Sequence, residues 1–251
     1  MRIVTTGDGS RTLFSERYQQ TYHSTHGAVT ESNTVFIEGS GLAIALESAY
    51  CENRAVRVLE IGFGLGLNFL LSADLAIQNQ AKLAYTAIDD HFLNTSLLSD
   101  LDYRSQLRHP YLVDDLLHQM KQFESVNQSA NATTVIPDGI LLTPGPGVTL
   151  ELRQALKTIV NWTSTPSSLF VPFDIIYLDA FSPDTNSECW QPSLLARLRQ
   201  LLNSRGKLVT YSAKGSVRRS LQAAGFHIEK LPGPPGKREF LRANVTDPTI
   251  V

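Results

Sequence analysis

Short apolar runs alternate with amphipathic segments along this chain from about residue 54 onward. The apolar runs have the length of buried strands and predict strands at residues 56–61, 83–89, 147–152, 173–179 and 206–211. Apolar positions at helical spacing predict helices at residues 67–77, 111–123, 153–160, 192–202 and 217–224. This alternation favours a doubly wound, mostly parallel α/β sheet. Residues 226–231 and 239–243 flank a Pro/Gly-rich turn and predict an antiparallel C-terminal hairpin that closes the sheet.

Two stretches fit this alternation poorly. Residues 1–50 precede the first core strand, and we expect them to form a small N-terminal extension, such as a β-hairpin that acts as a lid. Residues 124–147 are polar and rich in glycine and proline, which predicts a surface insertion. We expect residues 51–251, including that insertion, to form the main domain.

A glycine loop follows the first predicted core strand. Gly62, Gly64 and Gly66 have the spacing G-x-G-x-G, which lets a backbone turn sharply beside a ligand. This spacing differs from the G-x-G-x-x-G of dinucleotide-binding folds, and the chain has no P-loop motif. Glu60 precedes the loop, where an acid suits the amino group of a methionine, and Asp89 ends the next strand, where a carboxylate can hold ribose hydroxyls. Together these residues predict an S-adenosylmethionine site, whereas the glycines alone would also fit a tight strand–helix turn.

A single carboxylate marks a second strand end. Asp179 ends the predicted strand 173–179, directly before the turn at 181–183. Because ligands lie outside the carboxyl ends of strands in open α/β sheets, we expect Asp179 to face the same crevice as the glycine loop. Trp190 follows soon afterwards and either stacks on a substrate or anchors the next helix in the core.

The net charge of −2 is unevenly distributed. Residues 191–251 contain 11 Lys/Arg and 3 Asp/Glu, whereas residues 1–190 contain 11 Lys/Arg and 21 Asp/Glu. A basic C-terminal part fits a polyanion such as a nucleic acid, but it also fits a solvated surface without a partner.

Several classes of protein are disfavoured. Cys51 and Cys189 are too few for a disulfide framework, and the six histidines lack metal-site spacing, so we expect no metal. The first residues lack the pattern of a signal peptide, and no apolar run is long enough to cross a bilayer. The sequence therefore predicts a cytoplasmic protein.

Four segments carry a family resemblance: GLGLNFL (64–70), LDAFSP (178–183), YSAKGSVRR (211–219) and GKREFLR (236–242). Together with residues 22–36, they resemble the MnmC-type family of tRNA methyltransferases, and the resemblance covers most of the chain except residues 124–147. It implies a class I, Rossmann-like methyltransferase fold with S-adenosylmethionine as the methyl donor. It also implies N-methylation of the 5-aminomethyl group of a wobble uridine, often 2-thiolated, in tRNA.

The resemblance and the motifs together give a set of candidate site residues. Asp179 is the candidate catalytic residue, beside the reacting amine. The candidate cofactor-binding residues are Glu60, Gly62, Gly64, Gly66, Asp89 and Glu151, the last standing where the family has an aspartate that meets adenine. The candidate substrate-binding residues are Tyr22, Ser24, Glu31, Phe181, Trp190, Lys214, Arg218, Lys237 and Arg238, with the basic side chains on the tRNA backbone.

Many members of this family are fused to a flavin oxidase. Since this chain has no second nucleotide-binding fingerprint, we expect it to perform the methyl transfer alone, on an aminomethyl uridine made by a separate enzyme. Two other functions stay open on the sequence. One is methyl or aminopropyl transfer to a small amine, as in spermidine-synthase-like proteins, and the other is RNA binding without catalysis.

Overall fold

The computed structural model describes residues 1–90, 95–129, 139–154 and 171–245, without the side chains of 123–129. Within these ranges the strands form two sheets. The smaller sheet is antiparallel and contains β1 (Arg2–Thr5), β2 (Arg11–Ser15) and β3 (Gln20–Thr21). The larger sheet contains β4 (Ala55–Ile61), β5 (Lys82–Asp89), β6 (Ile140–Leu142), β7 (Val148–Gln154), β8 (Phe173–Leu178), β9 (Leu202–Thr210), β10 (Phe226–Pro232) and β11 (Glu239–Val245).

Helices connect most of these strands. They are α1 (Ala28–Glu31), α2 (Leu42–Cys51), α3 (Leu67–Gln78), α4 (Thr95–Ser99), α5 (Tyr111–Ser129), α6 (Pro192–Leu201) and α7 (Gly215–Ala223). A π-helical stretch, Ser32–Glu38, continues α1, and short 3-10 helices span Tyr103–Gln106 and Ser187–Trp190. In the part of the chain that is described, no helix combines the length and apolar character that crossing a bilayer requires.

The larger sheet has the order β10-β11-β9-β8-β4-β5-β7-β6. Its central strands, β9 to β7 in that order, are parallel, and β10, β11 and β6 are antiparallel additions at the two edges. This arrangement confirms the predicted doubly wound α/β sheet with an antiparallel C-terminal hairpin. The strand order reverses between β4 and β8, which is the position where ligands bind in such sheets.

Apolar side chains on both faces of the sheet explain why the central strands read as nearly continuous hydrophobic runs. On β4, Val56 and Val58 belong to the cluster that includes α2, α3 and α5. Leu59 and Ile61 belong to the cluster that includes α6 and α7. Side chains that alternate along a strand therefore enter two separate layers of helices.

The C-terminal half of the sheet differs from the prediction in one detail. The sequence predicts a turn and then a strand from residue 206, whereas β9 begins at Leu202, directly after α6. The pairing of β8 with β9 shifts register between Phe173 and Ile175. Asn203 Nδ2 donates to Asp174 Oδ1 at 2.8 Å at this shift, so polar residues are accommodated in the strand rather than in a turn.

Part of the predicted surface insertion at 124–147 forms regular secondary structure. The helix α5 extends to Ser129, and Ile140–Leu142 forms the edge strand β6, which pairs antiparallel with β7. The predicted helix at 153–160 begins as the last residues of β7, and its remainder lies outside the described residues.

The N-terminal segment is more than the hairpin that the sequence suggests. After three short strands, α1 and the π-helical stretch carry Val35 and Phe36 into the main apolar cluster, where both are at most 1% exposed. The Phe36 ring lies 5.3 Å from the ring of Tyr177 on β8. Residues 28–51 thus pack as part of the core, and the three strands before them reach the carboxyl edge of the larger sheet.

Candidate active site

A cavity with a volume of about 560 Å³ opens at the carboxyl edge of the parallel strands. This is the size of a small-molecule site. One side, which we call the floor, consists of residues at or after the strand ends: Gly62, Gly64, Asp89, Asp179, Phe181 and Tyr211. The other side, which we call the roof, consists of residues from the N-terminal segment: Tyr18, Gln20, Tyr22, Ser24 and Glu31. Lys237, on the turn between β10 and β11, lies at the cavity beside both.

The glycine loop ties three strand ends together. Gly62 has φ +91°, and a Cβ there would lie 2.8 Å from the backbone oxygen of Asp179, so a side chain would separate the loops after β4 and β8. The N–H of Gly64 donates to Asp89 Oδ2 at 2.9 Å. A Cβ on Gly64 would lie 3.0 Å from the Tyr22 ring, which shows how closely the roof approaches. The absence of side chains therefore lets backbone, carboxylate and aromatic ring meet at one place.

Asp179 lies on the floor, one residue beyond β8. Its N–H donates to the oxygen of Ile61 at 2.9 Å, which fixes it beside the end of β4. Its Oδ2 accepts a hydrogen bond from Asn68 Nδ2 at 2.8 Å, and the residue stays partly exposed at the cavity. Burial, followed by the charges of Glu60 and Glu31, raises the pKa of Asp179 well above its usual value. Asp179 therefore holds a proton more readily than an exposed aspartate does.

Glu60 lies beneath the floor rather than on it. Its side chain is fully buried, with Oε1 2.8 Å from Asn68 Nδ2 and Oε2 2.9 Å from the Tyr85 hydroxyl, both of which donate to it. Burial raises the pKa of Glu60 to about 8, although the two hydrogen bonds act in the opposite direction. The sequence predicts a cofactor contact here. The structure instead places Glu60 in step with Val58, on the face of β4 that packs under α3.

Aromatic rings join the roof to the floor. The Phe181 ring stacks on Tyr18 at a centroid distance of 4.3 Å and meets the edge of Tyr22 at 5.0 Å. Gln20 Nε2 donates to Thr185 Oγ1 at 2.7 Å, which links β3 to the loop after β8. Burial, with a smaller effect of Asp89, raises the pKa of Tyr22 to about 12, so this phenol stays neutral at physiological pH.

An ion pair closes one side of the cavity. Lys237 pairs with the buried carboxylate of Glu31, and its Nζ lies 4.1 Å from the centre of the Tyr211 ring. Glu31 also accepts the N–H of Ser24 at 2.7 Å. The sequence predicts that Lys237 contacts the tRNA backbone. In the structure its charge is matched by Glu31 inside the cavity, so it connects the C-terminal hairpin to the N-terminal segment.

Comparisons with known proteins define the family of this chain. Residues 147–246 match the model of a family described as S-adenosyl-L-methionine-dependent methyltransferase. The tRNA 5-methylaminomethyl-2-thiouridine biosynthesis bifunctional protein MnmC of Aromatoleum aromaticum is 32% identical over 250 residues, and that of Paraburkholderia phymatum is 30% identical over 246 residues. These alignments cover 98% and 92% of this chain. The chain belongs to the MnmC-type methyltransferase family. S-adenosylmethionine is accordingly its cofactor.

The MnmC-type relatives are much longer than the region they share with this chain. The chain spans about a third of their length, 36% and 33% in the two cases. Among solved structures, MnmC2 from Aquifex aeolicus has a TM-score of 0.71 at 24% identity, covering 98% of this chain and 71% of that one. This likeness confirms the class I methyltransferase fold.

Several residues at the cavity of this MnmC-type methyltransferase fit S-adenosylmethionine. Asp89 ends β5 beside the glycine loop, where a carboxylate can accept hydrogen bonds from a ribose diol. Gly62 and Gly64 leave the backbone accessible to a ligand. Asp89 and Asp90 are two acidic residues at the same cavity, which favours a ligand with a cationic sulfonium and amino group.

Two of the predicted site residues of this MnmC-type chain support the loops rather than line the cavity. Trp190 is 6% exposed, and its Nε1 donates to the oxygen of Phe181 at 2.9 Å, so it has the core position that the sequence left open. Gly66 directly precedes α3 as its N-cap with φ +72°, and a Cβ there would lie 2.9 Å from the Phe63 ring. Both fix the loops that carry cavity residues.

Glu151 lies away from the cavity. It is in the middle of β7, three residues before the strand ends, and its carboxylate pairs with Arg153 at 2.5 Å and accepts the Thr86 hydroxyl at 3.3 Å. The prediction of an adenine contact assumed that the strand ends near residue 152. Because β7 continues to Gln154, position 151 falls short of the carboxyl edge.

The remaining basic candidates lie outside the cavity. Lys214 precedes α7 and pairs with Asp184 at 2.5 Å. Arg218 is half-buried on α7, and Arg238 is exposed on the turn between β10 and β11.

Sequence reasoning missed three residues at or near the site. Asn68 bonds to Asp179, Tyr18 stacks on Phe181, and Tyr211 carries the Lys237 ammonium over its ring. The strand-end rule that found Asp179 also applies to Tyr211, which follows β9 directly. Asn68 and Tyr18 carry no comparable signal, because their roles depend on contacts that join distant parts of the chain.

Proposed function

We propose that this enzyme transfers the methyl group of S-adenosylmethionine to the amine of a 5-aminomethyl uridine, often 2-thiolated, at the wobble position of tRNA. The names of the MnmC relatives, which refer to tRNA 5-methylaminomethyl-2-thiouridine biosynthesis, support this substrate. One observation carries the proposal. Asp179, a carboxylate whose pKa is raised, faces the same cavity as the glycine loop and Asp89.

Asp179 prepares the substrate amine in this reaction. An alkyl amine resembles lysine, with a pKa of about 10.4, and so arrives mostly as an ammonium without a lone pair. The Asp179 carboxylate accepts a proton from that ammonium, and the electron pair of the broken N–H bond stays on nitrogen. The raised pKa of Asp179 favours this transfer, because it brings the pKa of the carboxyl closer to the pKa of the substrate ammonium. S-adenosylmethionine supplies an electrophilic methyl group on a positively charged sulfur.

The aromatic cluster of Tyr18, Tyr22 and Phe181, where the roof meets the floor, holds the uridine. Proteins that recognise single-stranded RNA stack splayed-out bases on aromatic side chains. Phe181 follows Asp179 by two residues, and Tyr18 and Tyr22 surround its ring. A base held at this cluster has its 5-substituent near Asp179, which orients the amine for transfer.

A basic strip beside the cavity holds the tRNA backbone. Its members are Arg218 and Arg219 on α7 and Arg238 on the hairpin turn, and among the described residues none of the three has an ion-pair partner. The helix α7 follows the carboxyl end of β9, so the strip lies at the same edge of the sheet as Asp179. Arginines in this position suit phosphate oxygens.

The proposed reaction depends on a second activity. The aminomethyl uridine must be made by a separate reaction that installs the amine, so a separate enzyme supplies this substrate. A tRNA substrate also goes with the cytoplasmic location predicted from the sequence.

Methyl transfer to tRNA tests the proposal directly. The protein is incubated with S-adenosylmethionine and tRNA that carries aminomethyl uridine, and the nucleosides are analysed by mass spectrometry. We expect conversion to the methylaminomethyl nucleoside, and a loss of at least about 100-fold in Asp179→Ala. The control is Glu47→Ala, which removes an exposed carboxylate on α2 and should leave the rate unchanged.

Two results would contradict the proposal. Wild-type turnover by Asp179→Ala would remove Asp179 from the chemistry. A parallel reaction with purified polyamines separates the small-amine alternative, because methylation of a polyamine without methylation of tRNA would replace the substrate proposed here.

A further inference from the structure

Asn68 lies between two carboxylates below the cavity. It is the second residue of α3 and is 2% exposed. Its Nδ2 donates to Glu60 Oε1 and to Asp179 Oδ2, each at 2.8 Å. One amide nitrogen has two hydrogens, so each carboxylate receives one. These two hydrogen bonds from one amide group fix the side chains of Glu60, Asn68 and Asp179 relative to one another.

The amide group of Asn68 has one orientation that satisfies its neighbours. A half-turn about the last side-chain bond would aim Oδ1, which has no hydrogen, at the carboxylate oxygen of Asp179, which also accepts. In the observed orientation Oδ1 is buried and meets no donor among the described residues. Such an atom destabilises a fold, and a leucine would fill a similar volume without it. The buried amide therefore calls for an explanation beyond packing.

Glu60 anchors this amide from the core side. Its second carboxylate oxygen accepts the Tyr85 hydroxyl at 2.9 Å. The Tyr85 ring in turn packs edge-on against Phe69 at 5.2 Å and Tyr177 at 6.1 Å between centroids. Fully buried groups thus fix the position of the Asn68 amide. The amide in turn fixes the side chain of Asp179 at the cavity through its second hydrogen bond.

The consequence appears at Asp179. With Oδ2 engaged by Asn68, no donor among the described residues reaches Oδ1, while the residue lines the cavity. We infer that Asn68 is a positioning residue for the methyl transfer, which holds Asp179 so that its other carboxylate oxygen meets the substrate amine. This inference rests on the role proposed above for Asp179. It goes further by assigning the orientation of that carboxylate to a residue that does not itself touch the substrate.

Asn68→Leu removes both donors at similar volume. We expect kcat to fall about 10- to 100-fold, the size of a lost hydrogen bond to a charged group, while KM for tRNA and Kd for S-adenosylmethionine change less than about threefold. The acidic limb of the kcat profile should also move to higher pH. The reason is that a carboxylate without its donor holds a proton more tightly.

A measurement without the cofactor separates positioning from folding. The Asp179 carboxyl is followed by ¹³C NMR during a pH titration, with its signal assigned by its loss in Asp179→Asn. In Asn68→Leu its midpoint should move to higher pH. Asn68→Ser, whose hydroxyl donates a single hydrogen bond, should give a smaller change and serves if the leucine variant fails to fold. Ser72→Ala is the matched control, because Ser72 is a buried polar residue of α3 that donates to the backbone oxygen of Asn68 but to neither carboxyl group.

The outcomes distinguish this inference from the proposed function. Unchanged kcat, pH profile and Asp179 titration in the Asn68 variants would overturn the inference even if Asp179→Ala is inactive. A lower melting temperature with an unchanged Asp179 titration would also overturn it, since Asn68 would then be structural. Full turnover by Asp179→Ala would instead overturn the proposed role of the carboxylate itself.

Discussion

The floor and the roof of the cavity are built in different ways. Floor groups leave the ends of parallel strands whose register is fixed by main-chain hydrogen bonds, such as that from the Asp179 N–H to Ile61. Roof groups come from the short strand β3, the loops beside it and α1. They meet their neighbours through side chains, as Tyr18 meets Phe181 and Glu31 meets Lys237. The floor is therefore the more rigid of the two sides, and it carries Asp89 and Asp179.

This difference indicates a division of labour. Rigid elements hold reacting groups to within fractions of an ångström, whereas surfaces made from side chains adapt to the shape of a substrate. The floor combines Asp179, whose pKa is raised, with Asp89, and the roof offers aromatic rings. Changes below or on the floor should alter stability, cofactor affinity and chemistry, whereas changes at the aromatic cluster or outside the cavity should alter substrate affinity.

The largest effect is expected below the floor, at Glu60. In the folded protein Glu60 keeps its proton up to about pH 8, whereas its ordinary pKa in an unfolded chain is 4.5. The folded state therefore binds more protons between these values, and this group makes stability fall as pH rises from about 4.5 to about 8. Since one pKa unit is worth about 1.4 kcal/mol, the decline amounts to about 3–5 kcal/mol.

Glu60→Gln should remove this decline while keeping hydrogen-bonding groups towards Asn68 and Tyr85. Urea unfolding between pH 5 and pH 8 gives the free energy of unfolding against pH for the wild type and for Glu60→Gln. The difference between the two curves measures the contribution of Glu60. The difference is needed because burial of His23 lowers its pKa to about 4, which makes stability rise with pH over part of the range in both proteins. Parallel curves for the two proteins would show that Glu60 is already ionised at pH 5.

Asp89 should give the next largest effect, on the cofactor. Asp89→Ala removes a carboxylate that we place on the ribose hydroxyls, and it also takes an acceptor from the Gly64 N–H. The loss should be about 2–3 kcal/mol, or about 30- to 150-fold in Kd for S-adenosylmethionine by calorimetry. Glu47→Ala is again the control. An affinity within threefold of wild type would move the ribose to another part of the cavity.

The sequence predicted the floor better than the roof for a physical reason. Parallel strands with both faces buried produce apolar runs that end where the ligand edge begins, so Asp89 and Asp179 were found from local pattern. Tyr18 has no such pattern, because its position depends on contact with Phe181, more than 160 residues away in sequence. The three-strand sheet before α1 was underestimated because its strands have two to five residues.

The errors at Glu60 and Glu151 have a different origin. For Glu60 the strand was predicted correctly, but the face of the sheet to which its side chain belongs was not. Position 60 alternates in step with Val58, and its side chain therefore points under α3. For Glu151 the predicted strand end was about two residues short, which turned a mid-strand side chain into an apparent edge residue. Both errors show that strand-end chemistry depends on a shift of one or two positions, which periodicity does not resolve.

A smaller effect is expected where floor and roof meet, at Phe181. Phe181→Ala removes the ring between Tyr18 and Tyr22 on which we propose the uridine stacks. Base stacking on aromatic side chains is worth about 1–3 kcal/mol per base. Because Tyr18 and Tyr22 remain, we expect a loss of about 1–2 kcal/mol, so that KM for tRNA rises about 5- to 30-fold with kcat changed less. Tyr50→Ala, which removes an exposed aromatic on α2, should have no effect. A fall confined to kcat would instead show that Phe181 acts on the floor chemistry.

The smallest effect is expected outside the cavity, on the basic strip. Arg219→Ala and Arg238→Ala each remove an exposed charge that we propose contacts a phosphate. Each should weaken tRNA binding about 2- to 5-fold at physiological salt and reduce the slope of log K against log salt by about one. The slope is the sharper measurement, because it counts phosphate contacts whatever their individual strength. Arg205→Ala is the matched control, since Arg205 is exposed near the start of β9, at the opposite edge of the sheet. If Arg205→Ala lowers the slope and the other two variants do not, the tRNA binds at the amino ends of the parallel strands instead. The cavity would then face a different substrate from the one proposed.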